Sequence, residues 1–263
     1  MRVRDERLRW AESSLRSASR IALRYFQRPV KVERKADASP VTIADRAVEA
    51  QLRKELARTF PNDAVVGEEL GTSAHHNERN YWTIDPIDGT RAFTKGLPSW
   101  GMLLGRVEDG RPVLGACLYP ALNTFVGVAP KTPAHEHVEG RRRLLSRAPS
   151  PPPLRDTAIF HGGLRWWLGT RYERGFCRLV RSCFLERAYG DCYAYLWVLR
   201  GRADAKVEYG VKRWDIVPFS ALATATGRVM TDFSGRSSFV GPESIFAHPS
   251  LARRIAQILK SRQ

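Results

Sequence analysis

Between Glu6 and Gln27 apolar residues recur at spacings of three and four: Leu8, Ala11, Leu15, Ala18, Ala22 and Tyr25 form one stripe. That period predicts an amphipathic helix. A second stripe of Val48, Leu52, Leu56 and Phe60 predicts another helix from about Ile43, stopped by Pro61-Asn62-Asp63. The pattern then changes to short, strongly apolar runs at residues 64–66, 81–84, 102–107, 113–119 and 124–128, which predict strands. Glu108-Asp109-Gly110 supplies an Asp-Gly hairpin turn between two of them. The first half is thus expected to pack two helices on a largely antiparallel sheet.

Pro, Gly and Arg concentrate over residues 130–153, and this break divides the chain into expected parts at 1–135 and 136–263. Beyond it, strand-like runs at 157–160, 205–208 and 245–247 alternate with helical runs at 172–179, 193–200, 216–226 and 251–261. Alternation of this kind predicts an α/β second part behind an α+β first part.

Composition narrows the function classes. An apolar fraction of 43% with seven Trp and eleven Phe is that of a globular protein. No apolar run approaches the ~20 residues that span a bilayer, and the opening "MRVRDERLRW" is charged with both signs, unlike a signal or transit peptide. The default expectation is a cytoplasmic protein without a membrane partner. Cys117, Cys177, Cys183 and Cys192 form no CxxC pair, so they predict reduced core residues rather than a zinc knuckle. A net charge of +16 favours anionic partners, but it is dispersed, with one local run at Arg141-Arg142-Arg143, and a nucleic-acid groove is the weaker expectation.

The chemistry concentrates in "YWTIDPIDGTRAF". A carboxylate ending a buried strand is costly unless paired or metal-bound, and Pro86 is expected to turn the chain out of the strand so that Asp85 and Asp88 converge. Two hard oxygen ligands suit Mg²⁺. Gly89 and Thr90 would then open a helix whose N–H groups face a phosphate. Further acids stand in "VVGEEL" (Glu68, Glu69), in "SPVTIAD" (Thr42, Asp45) and in "KRWDIVPF" (Asp215). Thr42-x-x-Asp45 also fits a helix capping box, Asp215 a first-turn helix acid, and Glu69 a solvated loop charge.

Taken together, "GEE", "WTIDPIDGT" and "WD", in this order from about Lys35 to Gly235, resemble the Mg²⁺-dependent, lithium-sensitive inositol monophosphatase-like phosphatases. The resemblance implies a layered αβαβα fold, hydrolysis of a small phosphorylated metabolite, and a homodimer. It implies that Glu68, Asp85, Asp88, Asp215 and the main-chain carbonyl of Ile87 hold two or three Mg²⁺ ions. It further implies that Asp45 and Thr90, with Glu68, act on the attacking water, and that Gly89 and Thr90 meet the phosphate.

Within that family "GDCYAY" and "YGVKRWD" look most like the histidinol-phosphate phosphatase branch, which makes Asp191 and Glu208 the expected contacts for a cationic substrate head. Asp191 can instead cap the helix that follows it, and Glu208 can be a surface acid. Inositol 1-phosphate, fructose 1,6-bisphosphate or a 3′-phosphonucleotide are the other substrates, and a basic nucleic-acid-associating protein is the reading from a different class. Tyr189, Tyr193, Tyr195 and Trp197 are expected in the core. Two departures stand out: Thr226 replaces an expected glycine, and "KTPAHEHVEGRRRLLS" replaces a glycine-rich hairpin. In that segment His135 and His137 are expected to be exposed, and His161 is placed where it could reach the cleft.

Overall fold

The computed structural model describes residues 5–28, 32–34, 40–74 and 77–260. The chain opens with α1 (Glu6–Tyr25), then β1 (Val32–Arg34), β2 (Pro40–Thr42), α2 (Ile43–Thr59), β3 (Val65–Gly67), β4 (Tyr81–Asp88) and a one-turn α3 (Thr90–Thr94). Five further strands follow: β5 (Gly101–Glu108), β6 (Arg111–Tyr119), β7 (Thr124–Ala129), β8 (Thr132–Val138) and β9 (Arg141–Leu144). The second part runs β10 (Ala158–His161), α4 (Glu173–Ser182), β11 (Leu185–Arg187), α5 (Asp191–Leu199), β12 (Ala205–Tyr209), α6 (Arg213–Ala225), β13 (Val229–Thr231), β14 (Glu243–Ala247) and α7 (Pro249–Lys260).

The predicted stripe of α1 is its buried face: Leu8, Ala11, Leu15, Ala18 and Ala22 all pack inward, and the Asp5 carboxylate accepts from the Arg7 and Leu8 N–H groups at the helix start. With α2 it covers one face of a seven-stranded sheet ordered β3 to β9, antiparallel except for the β3–β4 pair. Alternation sorts each strand between two layers. Met102, Leu104, Ala116 and Leu118 join the α1–α2 core, while Leu103, Cys117, Tyr119 and Val126 face a middle layer of α5 and α6. Because both faces are covered, these antiparallel strands appear in sequence as continuous apolar runs, and each large side chain so buried contributes about 1.5–3 kcal/mol.

Beyond α5 and α6 lies a five-stranded mixed sheet, β11-β10-β12-β14-β13, whose outer face is covered by α4 and α7. The layers are therefore αβαβα.

Differences from expectation have local causes. Residues 130–153 contain a regular hairpin, β8–β9, turned by Glu139 and Gly140 at positive φ, so the division at 135/136 lies inside a strand and the sheet continues to Leu144. Arginines on β9 are exposed along the sheet edge, where charge discourages pairing with another strand. β1, β2, β11 and β13, of three residues each, escaped prediction, as did the polar hairpin strands β8 and β9. Thr226 needs no glycine: its φ is −106°, and the left-handed position falls on Gly227 at φ 67°. Cys117 and Cys192 are buried, but Cys177 is exposed on α4, against the expectation of a core thiol. No helix among the described residues is long and apolar enough to cross a membrane.

Candidate active site

Asp85 and Asp88 are three residues apart, and in a regular strand they would face opposite sides of the sheet. They do not, because β4 bulges between them: Asp85 pairs with Leu103 and Asp88 with Gly101, so Pro86 and Ile87 together oppose Met102 alone. The chain therefore stays in the strand past Pro86, and it is the bulge that brings both carboxylates to the middle layer. Gly89 then takes φ 88° at the start of α3, and a Cβ there would lie 2.9 Å from the Ser99 carbonyl oxygen. α3 is a single turn, so its dipole is small and any anion contact falls to the N–H groups that a helix start leaves without an intrahelical partner.

Two more acids arrive on helix starts. Asp45 is the third residue of α2: its Oδ2 accepts from the Thr42 N–H at 2.8 Å and the Thr42 hydroxyl at 2.6 Å, leaving Oδ1 3.4 Å from the Thr90 hydroxyl. Asp215 occupies the same position in α6, where its Oδ2 accepts from the Lys212 N–H at 2.6 Å. Each acid thus caps its own helix with one oxygen and offers the other to the cleft. Thr90 also donates to the Ile87 carbonyl at 3.1 Å.

Glu68 is held from below. Glu49, buried on α2, accepts from the Glu69 N–H at 2.7 Å, the Leu70 N–H at 3.2 Å and Arg53 Nε at 2.7 Å. Gly67 makes room for this, since a Cβ there would overlap Glu49. Glu69 is half-buried rather than solvated.

Asp85, Asp88 and Asp215 each present an oxygen within 4.8 Å of the others. Without a cation the cluster resists ionisation. Burial and then the charge of Glu68 push Asp85 well above the usual carboxylate range, and burial with Asp191 does the same for Asp88. Burial raises Asp215 to about 7 against the pull of the Lys212 N–H, and Asp45 to about 6 against that of Thr42. Asp85 Oδ1 is buried with no hydrogen-bond partner among the described residues. Converging hard oxygens, mutual repulsion and an orphaned acceptor fit a divalent cation site of the Mg²⁺ type.

The facing wall comes from α5 and β12. The Cys192 N–H at the start of α5 donates to Asp88 Oδ2, so Asp88, not Asp191, caps that helix. Asp191 takes φ 56°, and its Oδ2 lies 3.4 Å from the position of a Gly89 Cβ. Glu208 is buried rather than at the surface and is ion-paired with Lys206, whose Nζ sits 3.7 Å over the Tyr195 ring. Asp88, Asp191, Lys206, Glu208 and Asp215 line a cavity of about 100 Å³, with Trp166 at its mouth. Burial and the Glu208 charge raise Asp191 to about 7.

The cleft thus brings together Asp45, Asp85, Asp88, Thr90, Asp191, Glu208 and Asp215, with Glu68 acting on Asp85. His161 does not reach it: Nε2 meets Glu186 at 2.5 Å and the ring packs on Phe176 in the outer layer. His135 is buried and His137 half-buried, correcting their expected exposure, and burial pushes His135 down to about 4. Tyr195 stacks on Phe219 in the core, but Tyr189 is exposed. Glu49 and Lys206 went unnoticed in sequence, where an i,i+4 Glu-Arg pair and a lysine in an apolar strand were the available signals.

A cleft of convergent acids between two sheets, with a threonine hydroxyl on a buried aspartate, is an arrangement that fits metal-dependent hydrolysis of a phosphate monoester. Residues 4–263 match the inositol monophosphatase family, and the chain belongs to that family, whose members are metal-dependent. It is 33% identical over 213 residues to a histidinol-phosphatase from Mycobacterium tuberculosis, covering 81% of this chain and 82% of the relative. A histidinol-phosphatase from Streptomyces coelicolor is also 33% identical, over 88% of this chain and 86% of its own. Among solved structures, an inositol monophosphatase from Zymomonas mobilis superposes with a TM-score of 0.83 at 30% identity, over 98% of this chain and all of the other (100%).

Proposed function

We propose that this phosphatase uses Mg²⁺ to hydrolyse L-histidinol phosphate to L-histidinol and phosphate. The observation that carries the hydrolytic reading is the convergence of Asp85, Asp88 and Asp215 beside the Asp45–Thr90 pair. Glu68, Asp85, Asp88, Asp215 and the Ile87 carbonyl would hold two or three Mg²⁺ ions. When bound, the ions stabilise charge on the phosphoryl oxygens and lower the pKa of the attacking water.

The chain's own groups divide the remaining work. Thr90, anchored on the Ile87 carbonyl, orients the water and relays its proton to Asp45 Oδ1. Asp45, raised to about 6, is ionised and still basic near neutral pH, which suits a proton acceptor. Main-chain N–H groups at Gly89 and Thr90 donate to the phosphate.

For the far end of the substrate, the acidic wall supports a cationic head. Glu208 is already neutralised by Lys206, so Asp191 carries that preference. The two histidinol-phosphatase relatives support the same substrate. The Lys206–Glu208 pair also offers a donor and an acceptor to a polyol, which favours inositol 1-phosphate as the second reading.

A panel of phosphate monoesters tests this. Wild type with Mg²⁺ is expected to release phosphate fastest from histidinol phosphate, and Asp85→Asn to lose at least ~100-fold in kcat. Asp191→Asn is expected to raise KM for histidinol phosphate by about tenfold, ~1.4 kcal/mol, while leaving that for inositol 1-phosphate within twofold. Equal shifts on both esters remove Asp191 as a specificity residue. Absence of phosphate release from every ester refutes the catalytic reading.

A further inference from the structure

The α1–β8 contact, on the helix side of the first sheet and away from the acidic cleft, holds a second group of metal-ligand type. We propose that Glu12, His135 and His137 bind one divalent transition-metal ion of the zinc class.

His135 and His137 alternate along β8 and therefore face the same side, toward α1, with ring centroids 5.0 Å apart and both rings against Phe125. Glu12 comes from α1, and one ligand-capable atom of each residue lies within 4.8 Å of the others. The outer partners are already in place. His135 Nδ1 meets the Pro133 carbonyl at 2.9 Å, so it carries the proton and donates, leaving the Nε2 lone pair available. Arg16 directs both Nε (3.1 Å) and a terminal nitrogen (2.9 Å) to Glu12 Oε1, and His137 Nδ1 meets the same oxygen at 2.7 Å. All three of these contacts fall on Oε1, so Oε2 is the oxygen that the cation would take. His137 and Arg16 together orient the carboxylate and hold it below the usual carboxylate range through contacts to one oxygen.

Entry is open, because His137 borders a cavity of about 410 Å³ that also touches Arg16, Asn123, Gly140 and Arg142. Two imidazoles and one carboxylate select Zn²⁺, Co²⁺ or Ni²⁺ over Mg²⁺, whereas the all-oxygen cleft suits Mg²⁺. The two clusters therefore differ in the ion they take. An ion here ties α1 to the β8 strand, joining residues more than a hundred positions apart in sequence.

The test loads purified wild type, His137→Ala and Glu12→Gln with Zn²⁺ under excess Mg²⁺, desalts each, and measures bound zinc by elemental analysis. Wild type is expected to retain one equivalent that both variants lose, while all three give the same far-ultraviolet circular dichroism, which shows that the variants fold. Co²⁺ in place of Zn²⁺ should give the strong visible absorption of a low-coordinate, nitrogen-ligated ion only in wild type. Absence of retained zinc in wild type, or equal zinc in wild type and both variants, overturns the proposal. Its outcome is independent of the catalytic reading, since none of these residues lines the acidic cleft.

Discussion

Removing divalent ions at alkaline pH should cost this fold several kcal/mol, and the pH dependence separates the acidic cluster from every other titrating group. A carboxyl whose pKa is higher in the folded chain than in the unfolded one favours the fold when protonated. Its stabilisation is complete below the unfolded value and is lost as pH rises through the folded value. Asp45, raised from 3.8 to about 6, costs about 3 kcal/mol once ionised, at 1.36 kcal/mol per unit, and roughly half of that falls between pH 5 and 8. Asp191 and Asp215, both at about 7, add a larger loss in the same window, although shared protons make the sum smaller than its separate parts. A cation at the cleft reverses the cost; Mg²⁺ at a hundred times its dissociation constant contributes about 2.7 kcal/mol. Each kcal/mol moves the melting temperature of a chain this long by about 2–4 °C. Chelated protein is thus expected to melt at least ~5 °C lower at pH 8 than at pH 5, and Mg²⁺ to restore most of the difference at pH 8 while doing little at pH 5. The rest of the chain pulls the other way, because +16 of net charge and six histidines make acid the more repulsive condition. Chelated protein more stable at pH 8 than at pH 5, or an equal Mg²⁺ gain at both, would refute the reasoning.

Two further substitutions probe how the cluster is held. Gly89→Ala forces a side chain into φ 88° and against the Ser99 carbonyl, so urea melts should show a loss of about 1–3 kcal/mol, with phosphate release reduced at least ~10-fold as Thr90 shifts. An unchanged melt would mean that the turn tolerates a Cβ. Glu49→Gln breaks a buried ion pair with Arg53 and is expected to cost about 3 kcal/mol and to raise the Mg²⁺ concentration needed for half-maximal activity, because the loop carrying Glu68 loses its anchor. A stability loss with unaltered Mg²⁺ dependence would confine Glu49 to the fold.

The parts legible in sequence were those with a strong period or a costly residue type. α1 and α2 announced themselves because their buried stripes repeat over three turns or more, and Asp85 and Asp88 because acids in a buried strand demand compensation. What sequence left ambiguous was the device joining the two aspartates. Proline suggested an exit from the strand, but a one-residue bulge keeps the ladder and still aligns both carboxylates, and only the β5 register distinguishes the two. Capping a helix and presenting a carboxylate oxygen to the cleft also proved to be compatible in one geometry rather than rivals. Asp45 and Asp215 each sit third in a helix, where one oxygen satisfies the helix start and thereby fixes the direction of the other.

The substrate end was less legible because its charge is decided across elements. Asp191 and Glu208 look like two acids in sequence, yet Lys206, two residues before Glu208 on the same face of β12, cancels one of them. On the proposed reading, selectivity for a cation rests on a single carboxylate, and Asp191 needs a positive partner to ionise readily, since burial holds it near 7. A cationic head would lower that value as it binds, whereas a neutral polyol would not. Affinity for histidinol phosphate should therefore release a proton from Asp191 around pH 6 to 7, and binding of inositol 1-phosphate should not. Calorimetry of Asp45→Asn, which removes turnover, in buffers of different ionisation heat measures that proton directly. The same uptake or release for both esters would assign Asp191 to the architecture of the cleft instead of to substrate choice.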